Sequence, residues 1–486
     1  MDRIRPNRAW PLFYAAPSRA IEQAHASHLP PHALMQRAGL AVARLTLALA
    51  PHARTVWLAC GPGNNGGDGF EAALHLRSWG KNAIVTWSGD EGRLPADARA
   101  ALHRARAADV RVAPQVPAEW DLAIDAMLGL GAARPLEGRL AEWGALMATS
   151  ARPVLAVDLP SGLDADTGGG RPTRASHTLS LLTLKPGLFT AGGRDAAGEV
   201  WFDDRGIAEP VARPTAWLGG PPAVRARLHA SHKGSYGDVA VIGGAPGMGG
   251  AALLAATAAL HGGAGRVFAC LLDPDAPGCD AAEPGLMLRR WKSLDLSAMS
   301  VACGCGGGDA VREVLPRVLA TARALVLDAD ALNAIAADTQ LQSLLKARAR
   351  RLRPTVLTPH PLEAGRLLGW GTEQVQADRL AASGELVQRL GCVVVLKGSG
   401  TVVAAPERAP RLNPTGNARL ATAGTGDVLA GLVASHLAAM PDAFDAAADA
   451  VYEHGRLADA WPANQALTAS ALARAVAPGR EGPGPF

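Results

Sequence analysis

Apolar positions recur along this chain in two periods, and the two alternate. In residues 18–49, Leu34, Leu40, Val42, Leu45 and Leu47 fall at mixed three- and four-residue spacing, which predicts helix. Residues 55–59 are a short apolar run that predicts a strand. The Gly-rich stretch 61–69 then predicts a loop, and 71–79 a helix. Further strands are expected at 83–87, 122–125 and 154–158, the last two each ending in Asp, with a helix over 97–107. Between residues 195 and 227 the chain turns Pro- and Gly-rich, which places a domain boundary near residue 220 and predicts domains 1–220 and 221–486. A fresh alternation follows: strand 239–242, loop 243–250, helix 251–261, strands at 266–272, 324–327, 355–357 and 393–396, then a closing helix after Asp427. Strand, loop and helix in repetition predict an α/β fold with doubly wound parallel sheets, whose ligands sit at the C-terminal strand ends. The halves do not repeat each other, so the chain reads as a fusion.

Composition agrees with this. The 486 residues include 55 Gly and 35 Pro, with 4% aromatic and 48% hydrophobic residues. Net charge is +4, with no basic stripe interleaved with aromatics, which argues against a nucleic-acid partner. The six cysteines are scattered; Cys303 and Cys305 lack the second pair that a zinc site needs, so reduced thiols are expected. No apolar run is long enough for a signal peptide or a membrane span, which predicts a soluble, cytoplasmic protein.

The candidate chemistry clusters at strand ends. Gly424-Thr425-Gly426-Asp427 opens a helix, and such a turn offers backbone N–H groups and a positive dipole end to an anion. A carboxylate in that place would repel a merely bound phosphate. It fits a base beside phosphoryl transfer, where a hydroxyl loses its proton as it attacks. Helix capping by Asp427 is the competing explanation. Upstream along the chain, at other predicted strand ends, lie Asp328, Asp330 and Asn333, suited to Mg²⁺ or hydroxyl contacts or to helix capping; His360 between two prolines; and Lys397-Gly-Ser-Gly-Thr401, suited to nucleotide phosphate. In the first half, Asn64, Asn65 and Asp68 add side-chain oxygens to a Gly-rich turn. Asp125, the Asn65 amide and the Ser161 hydroxyl are hard oxygen donors whose small summed charge suits a monovalent cation.

Residues 63–69 (Gly-Asn-Asn-Gly-Gly-Asp-Gly), Asp125-x-x-x-Gly129-x-Gly131 and Asp158-x-Pro160-Ser161-Gly162-x-Asp164 together resemble the NAD(P)H-hydrate epimerase domain family over roughly residues 10–215. The resemblance implies that Asn64, Asn65, Gly66, Gly67 and Asp68, with Gly129, Leu130, Gly131, Ala132, Ala133, Arg134 and Pro135, hold the hydrated dinucleotide. It places Asp158 at the damaged ring and K⁺ on Asn65, Asp125 and Ser161. Asp158 is the candidate acid/base, and Lys185 a weaker one that reads equally as a solvated surface lysine. Thr358-Pro-His-Pro361, Leu396-Lys-Gly398 and Asn413-Pro-Thr-Gly-Asn417, with the Gly-Thr-Gly-Asp turn, resemble the ADP-dependent NAD(P)H-hydrate dehydratases, of ribokinase-like fold. That implies Lys397, Gly398, Ser399, Gly400, Thr401 and Gly426 at the nucleotide, with Mg²⁺, and Ala251, Gly306, His360 and Asp427 at the hydrate. Cys303-Gly-Cys-Gly306 departs from the Gly-Pro-Gly-Leu-Gly loop of that family. The expected activity is repair of hydrated nicotinamide dinucleotides by epimerisation and ADP-dependent dehydration, in a homo-oligomer. A small-molecule kinase and a non-catalytic dinucleotide sensor remain as alternatives.

Overall fold

The computed structural model describes residues 1–131, 134–207, 212–223 and 227–477. The chain divides into two compact units, one of Met1–Arg5 and Trp10–Trp217, the other of Pro6–Ala9 and the chain from Leu218 onward.

The first unit is built on strands β1 (Asp2–Arg3), β2 (Thr55–Cys60), β3 (Asn82–Trp87), β4 (Arg111–Ala113), β5 (Leu122–Ala126), β6 (Val154–Val157), β7 (His177–Leu181) and β8 (Glu199–Asp203). Their order is β1-β8-β7-β6-β5-β2-β3-β4, parallel except for the antiparallel edge strand β1. From β2 the chain winds outward to β3 and β4, then returns to β5 on the other side. The crevice at the C-terminal ends of β2 and β5 is therefore a topological switch point. Residues 18–49 form two helices, Ala15–Ala26 and Ala33–Leu49, because Pro30 and Pro31 interrupt the helical pattern and His32 adopts φ +66°. Ala38, Val42 and Leu45 on the second of these are buried in one core with Phe70, Leu76, Leu58 and Ile124.

The second unit carries β9 (Asp238–Gly243), β10 (Arg266–Leu271), β11 (Met287–Leu288), β12 (Ser300–Cys303), β13 (Ala324–Leu327), β14 (Thr355–Leu357), β15 (Val393–Leu396), β16 (Val402–Ala405) and β17 (Arg408–Leu412). They run in the order β11-β10-β9-β12-β13-β14-β15-β16-β17, parallel as far as β15 and antiparallel beyond it. Here the order reverses between β9 and β12. Helices Gly249–His261 and Thr425–Ala439 lie close together, since a Cβ on Gly431 would stand 1.9 Å from the Ala255 carbonyl oxygen. Small residues are what make that approach possible. Among the described residues no helix is long and apolar enough to cross a membrane. The six cysteines are free thiols, five of them buried.

Candidate active sites

At the first switch point the chain leaves β2 through Gly61 and enters helix Asn64–Ser78, with Gly63 as N-cap. Residues 64–69 are thus the opening turns of the helix rather than a loop, and none of Gly61, Gly63, Gly66, Gly67 and Gly69 has a positive φ. Their smallness serves close packing instead. A Cβ on Gly61 would lie 1.7 Å from Met127 O, and one on Gly66 2.2 Å from Gly61 O. The helix start is thereby pressed against the ends of β2 and β5, beside a cavity of about 580 Å³. Of the residues singled out from sequence, Asn64, Asn65, Asp68, Gly129, Leu130, Gly131, Arg134, Asp158 and Lys185 line it. Ala132 and Ala133 lie outside the described residues, and Pro135 is exposed.

Asp158 is held in the left-handed region at φ +68°, strain that a non-glycine residue accepts only where its surroundings impose it. Its N–H donates to Leu179 O (2.8 Å), and its Oδ1 accepts from Leu181 N (3.0 Å) and from the Lys185 ammonium. Lys185 is 1% exposed, not a surface residue, and also donates to Leu181 O at 2.8 Å. Burial pulls its pKa down, and the Asp158 carboxylate opposes that. Asp68, on the cavity wall, is pushed well above the usual carboxylate range by burial; the nearby Arg205 guanidinium draws it back, and Glu22 and Asp158 push it further up. Asp125 is fully buried. Its carboxylate accepts from Ser161 N (2.9 Å), Ser161 Oγ (2.5 Å), Thr173 Oγ1 (2.5 Å) and Met127 N (3.3 Å). Burial raises its pKa, and these hydrogen bonds lower it only in part. The Asn65 Nδ2, near Gly129, is buried without a hydrogen-bond partner.

In the second unit the switch point is formed by Gly243–Gly244 after β9 and residues 304–306 after β12. Ala245 N donates to Gly306 O (2.7 Å) and Gly244 N to Cys305 O (3.0 Å). Gly304 has φ +121° and its Cβ would meet Asp328 O at 2.0 Å, so no other residue fits there. Gly306 and Ala251 are neighbours: a Cβ on Gly306 would lie 2.9 Å from Ala251 Cβ. The predicted Gly-Thr-Gly-Asp turn is present, with Gly424 at φ +87° as N-cap and Asp427 in the first turn of helix Thr425–Ala439. Burial raises the Asp427 pKa to about 6, the Asp328 charge adds to this, and Lys397 opposes it. Lys397 Nζ lies beside Gly426, 3.4 Å from where its Cβ would be, and bonds to Asp328 Oδ1 at 2.7 Å. Burial works against that ammonium, but Asp328 and Glu363 hold its pKa above the ordinary value. Thr358 Oγ1 donates to the same Asp328 oxygen (2.7 Å), and Asp330 Oδ2 accepts from Gly308 N (2.9 Å). His360 caps helix Pro361–Leu368. Gly398 and Gly400 both have positive φ in the turn after Lys397.

Three residues of these sites escaped the sequence reading. Thr173 gives Asp125 its second hydroxyl, and nothing local in the sequence marks it. Cys305 has its sulfur within 4.8 Å of carboxylate oxygens of both Asp328 and Asp427; its departure from the familiar glycine loop was the available signal. Buried His454 donates from Nε2 to Thr425 O at 3.0 Å, tying helix Ala443–Asp459 to the Gly-Thr-Gly-Asp turn.

Two family models match the chain, one described as YjeF-related protein N-terminus over residues 31–187, the other as NAD(P)H-hydrate dehydratase over residues 239–477. A bifunctional NAD(P)H-hydrate repair enzyme Nnr of Escherichia coli (strain K12) is 34% identical over 455 residues, 88% of this chain and 84% of that protein. An ADP-dependent (S)-NAD(P)H-hydrate dehydratase of Neisseria meningitidis serogroup B is 43% identical over 53% of this chain and 88% of its own length. A solved ribokinase-like superfamily protein from Enterococcus faecalis V583 is 27% identical, covering 52% of this chain and 89% of its own, with a TM-score of 0.45. With both domains matched and relatives of the same bifunctional kind aligned along most of its length, the chain belongs to the family of bifunctional NAD(P)H-hydrate repair enzymes.

Proposed function

We propose that residues 1–220 interconvert the R and S hydrates of NAD(P)H and that residues 221–486 return the S-hydrate to NAD(P)H, consuming ADP and releasing AMP and phosphate, in a cytoplasmic homo-oligomer. Family membership carries the pair of activities. The observation that carries the dehydration chemistry is Asp427: a carboxyl with a pKa near 6, at a helix N-terminus, with an ammonium beside it. Hydroxide is a poor leaving group. Asp427 takes the proton of the ring hydroxyl as that oxygen attacks the terminal phosphoryl of ADP. AMP departs, and the ring then expels phosphate as it loses a proton. Lys397 and the N–H groups at Gly426 offset charge that develops on the phosphoryl oxygens, while residues 398–401 contact the nucleotide and Ala251, Gly306 and His360 the hydrate. For Mg²⁺, the Asp330 carboxylate is a suitable hard donor, whereas Asp328 is already engaged by Lys397 and Thr358 and Asp427 is left to take the proton. Bound with the nucleotide, Mg²⁺ would screen phosphate charge.

In the first unit Asp158, aligned by Lys185, takes the hydroxyl proton as the bond between the hydrated carbon and the ring nitrogen opens to leave a carbonyl, and passes that proton to the nitrogen; the reverse steps on the other face of the carbonyl give the other epimer, with the dinucleotide in the cavity along Asn64, Asn65, Asp68, residues 129–131 and Arg134. The donor set fits K⁺: Asp125 is buried with no cationic side chain among the groups that shift it, and the Asn65 and Ser161 side-chain oxygens are neutral hard donors. Asn65, Asp125 and Ser161 would hold the ion, which would supply positive charge to a buried carboxylate. The test is to supply ADP and the S-hydrate and follow the absorbance of reduced nicotinamide. Wild-type protein should restore it, and Asp427→Asn should be slower by at least about a hundredfold. Undiminished dehydration in that variant would remove Asp427 from the role of base.

A further inference from the structure

The wall of the first-unit cavity holds a charged side chain that no motif marks and that takes no part in the proton transfers of Asp158. Arg205 lines the cavity and is 8% exposed. It stands just beyond β8 at φ +56°, in the left-handed region that a non-glycine residue accepts only where its surroundings impose it. Its backbone is fixed on both sides: its N–H donates to Asp203 Oδ1 (2.9 Å), and its carbonyl accepts from Arg37 Nη1 (2.8 Å). The guanidinium is far less engaged. Nη2 lies 3.2 Å from Glu22 Oε1, on a side chain that is 44% exposed, and Nε is buried with no hydrogen-bond partner among the described residues. A buried guanidinium that the chain leaves short of acceptors is costly to fold, and on a cavity wall it is accounted for by an acceptor that the occupant of the cavity brings. Its neighbours say which end of the cavity this is. Burial raises the Asp68 pKa and Arg205 is the strongest influence against that; burial lowers the Lys185 pKa, and Arg205 adds to the effect while Asp158 opposes it. Arg205 therefore stands at the end where Asp158 and Lys185 meet. The other cations of the lining are committed or exposed: Lys185 is bonded to Asp158 and Leu181 O, Arg19 to Leu130 O, and Arg134 is exposed.

We propose that the Arg205 guanidinium binds the carboxamide oxygen of the hydrated ring and stabilises the charge that reaches this oxygen when the ring opens. The inference rests on the epimerase reading of the first unit. In the hydrate a carbon–carbon double bond joins the ring nitrogen to the carbon that bears the carboxamide. As Asp158 takes the hydroxyl proton, the carbon–oxygen bond becomes a carbonyl and the carbon–nitrogen bond breaks, leaving its electron pair on nitrogen. That pair spreads through the double bond to the carboxamide oxygen until the nitrogen takes the proton from Asp158. Ring closure reverses these steps, so no further reactant enters. Negative charge thus develops on an oxygen remote from the proton transfer, and a fixed cationic donor is the group that stabilises it. Arginine suits the place, because it stays charged when buried and offers planar, directed donors.

The test uses the full chain with the R-hydrate as substrate and chromatography that resolves the epimers. Arg205→Gln keeps a donor but loses the charge, and should lower kcat for epimerisation about a hundredfold. Arg205→Lys keeps the charge and should recover at least about tenfold of that loss. The discriminating probe is the hydrate of the thionicotinamide analogue, whose sulfur accepts hydrogen bonds poorly. The rate penalty for sulfur in place of oxygen should be about tenfold larger in wild type than in Arg205→Gln. Mere damage to the fold would slow both substrates alike and leave that ratio unchanged. If Arg205→Gln does not fold, Arg205→Lys carries the same comparison, with a penalty between those of wild type and no discrimination. A folded variant with wild-type kcat, or one that keeps the full wild-type penalty for sulfur, would overturn the proposal. Wild-type protein that leaves the R-hydrate unconverted would overturn the epimerase reading and this inference with it, whereas normal conversion with an indifferent variant would overturn the inference alone.

Discussion

Asp427 shows how one residue can be placed by sequence and yet owe its chemistry to neighbours that sequence does not reveal. The turn Gly424-Thr425-Gly426 was legible, because glycine at φ +87° before a helix has a local signature. The tuning was not. Burial, the charge of Asp328, almost a hundred residues upstream, and the opposing Lys397, from a nearer strand end, together set the carboxyl near 6. A base must be ionised to act, and the ionised fraction of Asp427 grows as pH rises through about 6. The kcat/KM of dehydration should thus be flat above that value and fall by about tenfold per pH unit below it. Rates measured from pH 5 to 8 check this, and a limb that survives in Asp427→Asn would assign the titration elsewhere. Lys185 makes the same point. A lysine after Thr183-Leu184 reads as surface or site with equal ease; only the fold shows it buried against Asp158.

At the level of elements, most strands and the order of helices followed from apolar periodicity, because a doubly wound sheet is built from short, wholly buried strands. The sequence reading failed where glycine was taken as loop. Residues 64–69 are helical, and what glycine provides there is contact distance, a property of two segments rather than one. This distinction is testable. Gly61→Ala would drive a Cβ into Met127 O and should cost at least about 3 kcal/mol. Gly63→Ala meets nothing within 4 Å and should cost no more than about 1 kcal/mol, as an ordinary N-cap change. Urea unfolding midpoints separate the two. A second element-level consequence lies in helix Ala443–Asp459. Burial lowers the His454 pKa from 6.5 to about 4, and the ring is 7% exposed. A folded-state pKa below the unfolded one means that the unfolded chain binds the extra proton first as pH falls. The second unit should therefore keep its full stability above about pH 6.5 and lose about 3 kcal/mol between there and pH 4. Denaturation curves at pH 7 and pH 4.5 give the difference, which should shrink in His454→Gln.

On the scale of the whole molecule, two units each carry a sheet, a switch point and a carboxylate at a strand or helix end. The chemistry divides between them by stereochemistry. The dehydratase reading acts on the S-hydrate alone, so a mixture of R and S forms can be cleared completely only if the first unit keeps converting R to S. With ADP in excess, wild-type protein should convert the whole mixture to reduced nucleotide. Asp158→Asn leaves Lys185 buried without its carboxylate and should slow R-to-S conversion by about a hundredfold or more. The reaction should then run in two phases: rapid loss of the S-hydrate, then a slow tail limited by spontaneous epimerisation. Adding Asp427→Asn protein, whose first unit is untouched, should abolish that tail, because the hydrate released by one chain is substrate for the other. Chromatography that resolves the epimers, read beside nicotinamide absorbance, follows both phases. A single fast phase in Asp158→Asn would take Asp158 out of the epimerisation step. A tail that persists after the second protein is added, with epimerisation by that protein verified separately, would instead mean that the hydrate does not exchange between chains.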